Sequence, residues 1–142
     1  MTAPSCSCGQ RATAGLRVLV VDDHPMVRTA LSEMLSDEDG VTVVGECADG
    51  SQVVEAVTRL RPDVVLMDYS MPEMNGLAAT EALRAAHLQS QVIMLTAEDS
   101  IGRPTVAAAG ADGLLPKSAR TDALLRCLRS VVLGCGCCPY CL

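Results

Sequence analysis

Apolar positions along the chain follow two alternating periods. Leu16-Arg17-Val18-Leu19-Val20-Val21 is a short β-branched run of the kind buried on both faces of a parallel sheet. Comparable runs recur at Val41 to Cys47, at Val64-Val65-Leu66-Met67, at Val92-Ile93-Met94-Leu95 and, shorter, at Gly113-Leu114-Leu115. Between them the spacing becomes helical. Pro25 opens the first helix as a first-turn proline, Val27, Ala30, Leu31, Met34 and Leu35 form its apolar stripe, and Gly40 ends it. The second is capped by Asp49 or Ser51, turns Val53, Ala56, Val57 and Leu60 inward, and stops at Pro62. Leu77, Thr80, Leu83 and Ala86 mark a third. Gly102 and Pro104 leave room for a short fourth helix through Val106 to Ala109. A last helix starts near Thr121 and is expected to turn Leu124, Leu125, Leu128, Val131 and Val132 inward.

Strict alternation of strand and helix with short connections predicts one α/β domain over residues 15–133. Its fold class is a doubly wound, five-stranded parallel sheet, the flavodoxin-like (βα)5 arrangement. Residues 1–14 are expected to be a disordered, Cys-containing leader and residues 134–142 a Cys-rich tail.

Composition narrows the function. The 142 residues suit a single domain, and 49% hydrophobic against 20% charged residues excludes a disordered chain. A net charge of −6 with only Tyr69 and Tyr140 as aromatics argues against gripping phosphate backbones or stacking bases. No apolar run reaches the roughly 18–20 residues a membrane span needs, and no basic-then-apolar leader opens the chain. A cytoplasmic setting with reduced thiols is therefore expected. Of eight cysteines, Cys47 and Cys127 fall inside regular elements as small apolar residues. Cys6, Cys8, Cys135, Cys137, Cys138 and Cys141 sit at the ends, expected as reduced tails, with zinc binding or a redox dithiol as alternatives.

In doubly wound sheets ligands bind beyond the carboxyl ends of the strands. The polar residues there are Asp22 and Asp23 after the first run, Asp68 after the third, Thr96 after the fourth and Lys117 after the fifth. Two carboxylates about 4 Å apart repel by roughly 4 kcal/mol at an effective dielectric near 20, so a cluster of three calls for a cation. Hard oxygens suit Mg2+. Together with the Lys117 amine and the Thr96 hydroxyl they make a phosphoryl-transfer site, in which Asp68 would be the nucleophile. His24 and His87 are expected to be exposed polar residues rather than ligands.

Val20-Val21-Asp22-Asp23-His24-Pro25, Asp68-Tyr69-Ser70-Met71-Pro72-Glu73-Met74-Asn75-Gly76, Thr96-Ala97, and Gly110-Ala111-Asp112-Gly113 leading to Lys117 resemble a response-regulator receiver domain (CheY-like) of bacterial two-component systems. The resemblance covers about residues 15–133. It implies that Asp68 accepts a phosphoryl group from a phosphohistidine on a sensor kinase or phosphotransfer protein. Asp22, Asp23, Asp68 and the backbone carbonyl of Ser70 would hold Mg2+, while Lys117 and Thr96 would bind phosphoryl oxygens. It also implies a homodimer through the face of the fourth and fifth helices, without direct nucleic-acid or membrane contact.

The sequence departs from the family pattern on that output face. Leu114 stands where receivers usually carry an aromatic or His, Pro116 precedes Lys117, and Ser118 follows it where relatives often have proline. Phosphoryl chemistry is expected to be intact and the fourth-helix response weak. Alternatives are a degenerate receiver acting as a phosphorylation-independent interaction module, or a shortened transcriptional regulator lacking its DNA-binding domain. An aspartate-nucleophile phosphatase is disfavoured, because such enzymes need a second acid two positions on, where His24 and Ser70 stand instead.

Overall fold

The computed structural model describes residues 15–97, 102–133 and 142. Five strands, β1 (Leu16–Val21), β2 (Val41–Cys47), β3 (Val64–Asp68), β4 (Gln91–Thr96) and β5 (Gly113–Pro116), alternate with five helices. These are α1 (Pro25–Ser36), α2 (Val53–Leu60), α3 (Gly76–Ala85), α4 (Arg103–Ala108) and α5 (Thr121–Leu133). All strand pairs are parallel, in the order β2-β1-β3-β4-β5. This is the flavodoxin-like sheet that the alternation predicts. Pro116, which has no N–H to donate, is tolerated because β5 is an edge strand.

Two apolar layers sandwich the sheet. Val18, Val20, Val64, Leu66, Ile93 and Leu115 face Leu35 of α1 and Leu124, Cys127 and Leu128 of α5. The alternate residues Leu19, Val21, Val65, Met67, Val92 and Met94 face Val53, Val57, Ala79, Leu83 and Val106 of α2, α3 and α4. Coverage on both faces is why the inner strands read as unbroken apolar runs. Burial of this aliphatic surface, at roughly 25 cal/mol per Å², is the main force holding the domain together.

One helix docks at a different rotation from the one its stripe predicts, and α5 buries Leu124, Leu125, Leu128 and Val131 as expected but not Val132. In α1, Leu35 is buried and Leu31 and Met34 pack partly, but Val27 is 38% exposed and Ala30 is exposed. Arg28 takes the place beside the strand ends. Its guanidinium donates to the Asp22 carbonyl at 2.7 Å and pairs with Glu46 at 3.2 Å. In α5, Cys127 and Ser130 are buried while Val132 is 37% exposed. Starting from Leu124, the i, i+3, i+4, i+7 face runs through Cys127, Leu128 and Val131, and Val132 falls beside it. The short α4 buries only Val106, as the Gly and Pro before it lead one to expect.

Asp49 does more than cap. Its Oδ2 accepts from the Ser51 amide at 2.9 Å and its Oδ1 accepts from the Glu73 amide at 3.1 Å, tying the start of α2 to the loop after β3. These amides outweigh the cost of burial and hold the Asp49 carboxyl below its usual range. Gly50 allows the approach, since a Cβ there would strike the Met74 carbonyl oxygen.

Cys47 and Cys127 are buried and in no disulfide. The leader expected at 1–14, the other six cysteines with their zinc and redox alternatives, and the tail up to residue 141 lie outside the described residues. No helix among the described residues is long and apolar enough to cross a membrane.

Candidate functional site

Because β1 sits beside β3 in the sheet, Asp22, Asp23 and Asp68 emerge at one rim. β4 and β5 complete it: Thr96 ends β4, and the Lys117 amide donates to the Thr96 carbonyl at 2.8 Å. Asp22 and Asp68 are buried almost completely, as is Thr96, while Asp23 is half-buried. Lys117 Nζ lies 3.0 Å from Asp68 Oδ2 and 3.3 Å from Asp22 Oδ2. The Ser70 amide donates to Asp68 Oδ1 at 3.2 Å, which places Ser70 at the entrance, exposed.

Charge in this cluster is unevenly matched. Burial pushes the Asp68 carboxyl up, and the charge on Asp22 adds to it, against the opposing hydrogen bonds and charge of Lys117 and the Ser70 amide. Lys117 is also raised. Burial alone would lower it, but hydrogen bonds and attraction from Asp68 and Asp22 win. Both directions follow from one fact: the amine faces two anions, whereas Asp68 faces one cation and one anion.

A divalent cation fits the residues present. Ligand atoms from Asp22, Asp23, His24 and Asp68 lie within 4.8 Å of one another. Asp23 Oδ1 and Asp68 Oδ2 are screened from solvent without a well-directed hydrogen-bond donor, although Lys117 Nζ stands near the second. Such oxygens suit a hard cation like Mg2+.

His24, expected to be an exposed polar residue, is exposed and yet lies against the acid pair. Its Nδ1 sits 3.3 Å from Asp22 Oδ1 and 3.1 Å from Asp23 Oδ1, although the ring remains 63% exposed. Its backbone amide also donates to Asp22 Oδ1 at 2.8 Å, so the turn after β1 folds back on the acid pair. The signal was its place directly behind two aspartates; the spacing alone could not show which way the ring turns. A cavity of about 590 Å³, lined by residues including Arg61, Pro62, His87, Leu88 and Val132, lies at the amino ends of β3 and β4, away from this cluster.

A model of the response regulator receiver domain matches residues 18–129. The chain belongs to the receiver-domain family. Among curated relatives, the response regulator GacA of Pseudomonas viridiflava is 41% identical over 120 residues, which make up 84% of this chain and 56% of that protein. The nitrate/nitrite response regulator NarL of Escherichia coli is 36% identical over 121 residues, covering 82% of this chain and 55% of NarL. The receiver thus spans about half the length of these curated relatives. Among solved structures, the signal receiver domain of a NarL-type regulator from Mycobacterium tuberculosis aligns with TM-score 0.74 and 34% identity, covering 86% of this chain and 96% of that one. As a receiver the domain is a signalling module whose family implies a cognate sensor kinase, and its acidic cluster is consistent with the metal site typical of that family. Leu114, buried against the α3 and α4 layer, fills the position three residues before Lys117.

Proposed function

We propose that this receiver is phosphorylated on Asp68 by the phosphohistidine of a sensor kinase or phosphotransfer protein. The observation that carries the reading is the Lys117 amine held 3.0 Å from Asp68 Oδ2 beside the Asp22–Asp23 pair. An Asp68 carboxylate oxygen attacks phosphorus as the P–N bond to the donor imidazole breaks. The nitrogen keeps that electron pair and takes a proton from water, and the new O–P bond makes an acyl phosphate. Lys117 would hold a phosphoryl oxygen, and Thr96, at the end of the neighbouring strand, would donate to another. The Ser70 amide keeps Asp68 oriented. Asp22, Asp23, Asp68 and the Ser70 carbonyl would hold Mg2+, which when bound neutralises charge on the phosphoryl oxygens.

Dimerisation through the α4 and α5 face, and the absence of nucleic-acid contact by this domain, belong to the same proposal. Incubation with a small-molecule phosphodonor and Mg2+ tests it: intact mass should rise by one phosphoryl group in the wild type and not in Asp68→Asn. Equal labelling of both would place the acceptor elsewhere. No labelling of either would favour a degenerate interaction module, and steady turnover of a generic phosphate ester would favour a phosphatase.

A further inference from the structure

We propose that His24 Nδ1 is a direct ligand of the divalent cation, so that the site prefers first-row transition metals to Mg2+ more strongly than carboxylates alone would. This inference rests on the metal-binding part of the reading above. Cation ligands at about 2.1 Å in an octahedron stand about 3.0 Å from their nearest neighbours. The His24 Nδ1 distances of 3.1 Å to Asp23 Oδ1 and 3.3 Å to Asp22 Oδ1 are close to that edge length. Asp23 Oδ1 lacks a well-directed donor and is screened from solvent, so the Nδ1 contact does not satisfy it as a hydrogen bond would.

The backbone favours the same role. His24 is the N-cap of α1 in an extended conformation, its side chain makes no capping bond, and Pro25 follows. The imidazole is therefore turned toward the acids rather than spent on the helix end. Nδ1 can donate to Asp22 Oδ1 at 3.3 Å in one tautomer; with the ring proton on Nε2 instead, its lone pair would be available to the cation. Imidazole nitrogen adds little for Mg2+, which favours oxygen, and more for transition metals.

Pulsed electron paramagnetic resonance of the full chain loaded with Mn2+ decides the matter. Wild type should show the nuclear modulation of a coordinated imidazole nitrogen; His87→Ala should keep it and His24→Ala should lose it. His24→Ala should also weaken Mn2+ by about tenfold more than it weakens Mg2+ in competition titrations. Bound Mn2+ without nitrogen modulation, or modulation that survives His24→Ala, overturns the assignment. The underlying metal reading fails separately, if Asp23→Asn leaves Mn2+ affinity unchanged.

Discussion

Lys117 Nζ and Asp22 Oδ2 meet at 3.3 Å across 95 positions of sequence, and the same amine reaches Asp68 Oδ2 at 3.0 Å. The two carboxylates are only 1–2% exposed and the amine 25%. One ammonium thus serves two buried anions, and the rim stays short of positive charge. That imbalance is expected to lower the stability of the metal-free domain and to make it depend on pH and on cation binding.

Removing the amine should expose the repulsion. Lys117→Met keeps most of the stem but leaves Asp22 and Asp68 without it. Breaking a buried pair costs about 3–5 kcal/mol, and partial exposure of the amine brings the expected loss to about 2–3 kcal/mol near neutral pH. Urea titration measures it. The loss should shrink in acid as Asp68 takes up its proton, and an unchanged midpoint at neutral pH would show that Nζ offsets nothing.

Asp68→Asn should act in the opposite sense. Folding raises the Asp68 pKa, so the folded chain binds more protons than the unfolded one between the two values. Stability contributed by this group is full below the ordinary carboxyl range and is lost as pH rises through the folded value. Asparagine cannot ionise, and it should add about 1 kcal/mol at neutral pH, with the gain fading in acid. Thermal melts in chelator across that range test the sign; a lower Tm at neutral pH would mean that the Lys117 pair outweighs burial.

A cation should supply the missing charge. Mg2+ at 100 times its Kd is expected to stabilise the wild type by about 2.7 kcal/mol. Asp23→Asn should abolish most of this, because Asp23 Oδ1 is one of the oxygens without a well-directed donor. Melts against sodium chloride at equal ionic strength separate site binding from screening.

The output side should respond weakly. Leu114 packs in the apolar layer and has no ring or hydroxyl to follow a hydrogen-bonding Thr96, and α4 is six residues long with only Val106 buried. Beryllofluoride, a phosphoryl mimic, should slow amide exchange at Ser70 and in the loop after β3 while leaving α4 little changed. Strong new protection in α4 would show that Leu114 transmits the signal.

The strands and the acids that end them were legible in the sequence because a strand covered on both faces must be apolar until it leaves the sheet. Val64 to Met67 followed by Asp68 is such a boundary, as are Val18 to Val21 followed by Asp22. Helix existence was legible from the helical spacing of apolar residues and from Pro and Gly at the helix ends, down to the short α4. The inward face was not always so. Periodicity defines a stripe on a helix but not the rotation at which the helix docks, and in α1 Arg28 reaches Asp22 and Glu46 while Val27 stays exposed.

By itself, then, the sequence determined the order of strands and helices, the identity of the rim residues Asp22, Asp23, Asp68, Thr96 and Lys117, and the surplus of negative charge among them. Only the tertiary structure decided that His24 turns its Nδ1 onto the acid pair, that Asp49 reaches the Glu73 amide, and that one amine is shared by two carboxylates. Spacing along a chain governs burial, an average over a whole face. Contacts at 3 Å depend on how separate elements pack and which rotamer each side chain adopts, which no local pattern encodes.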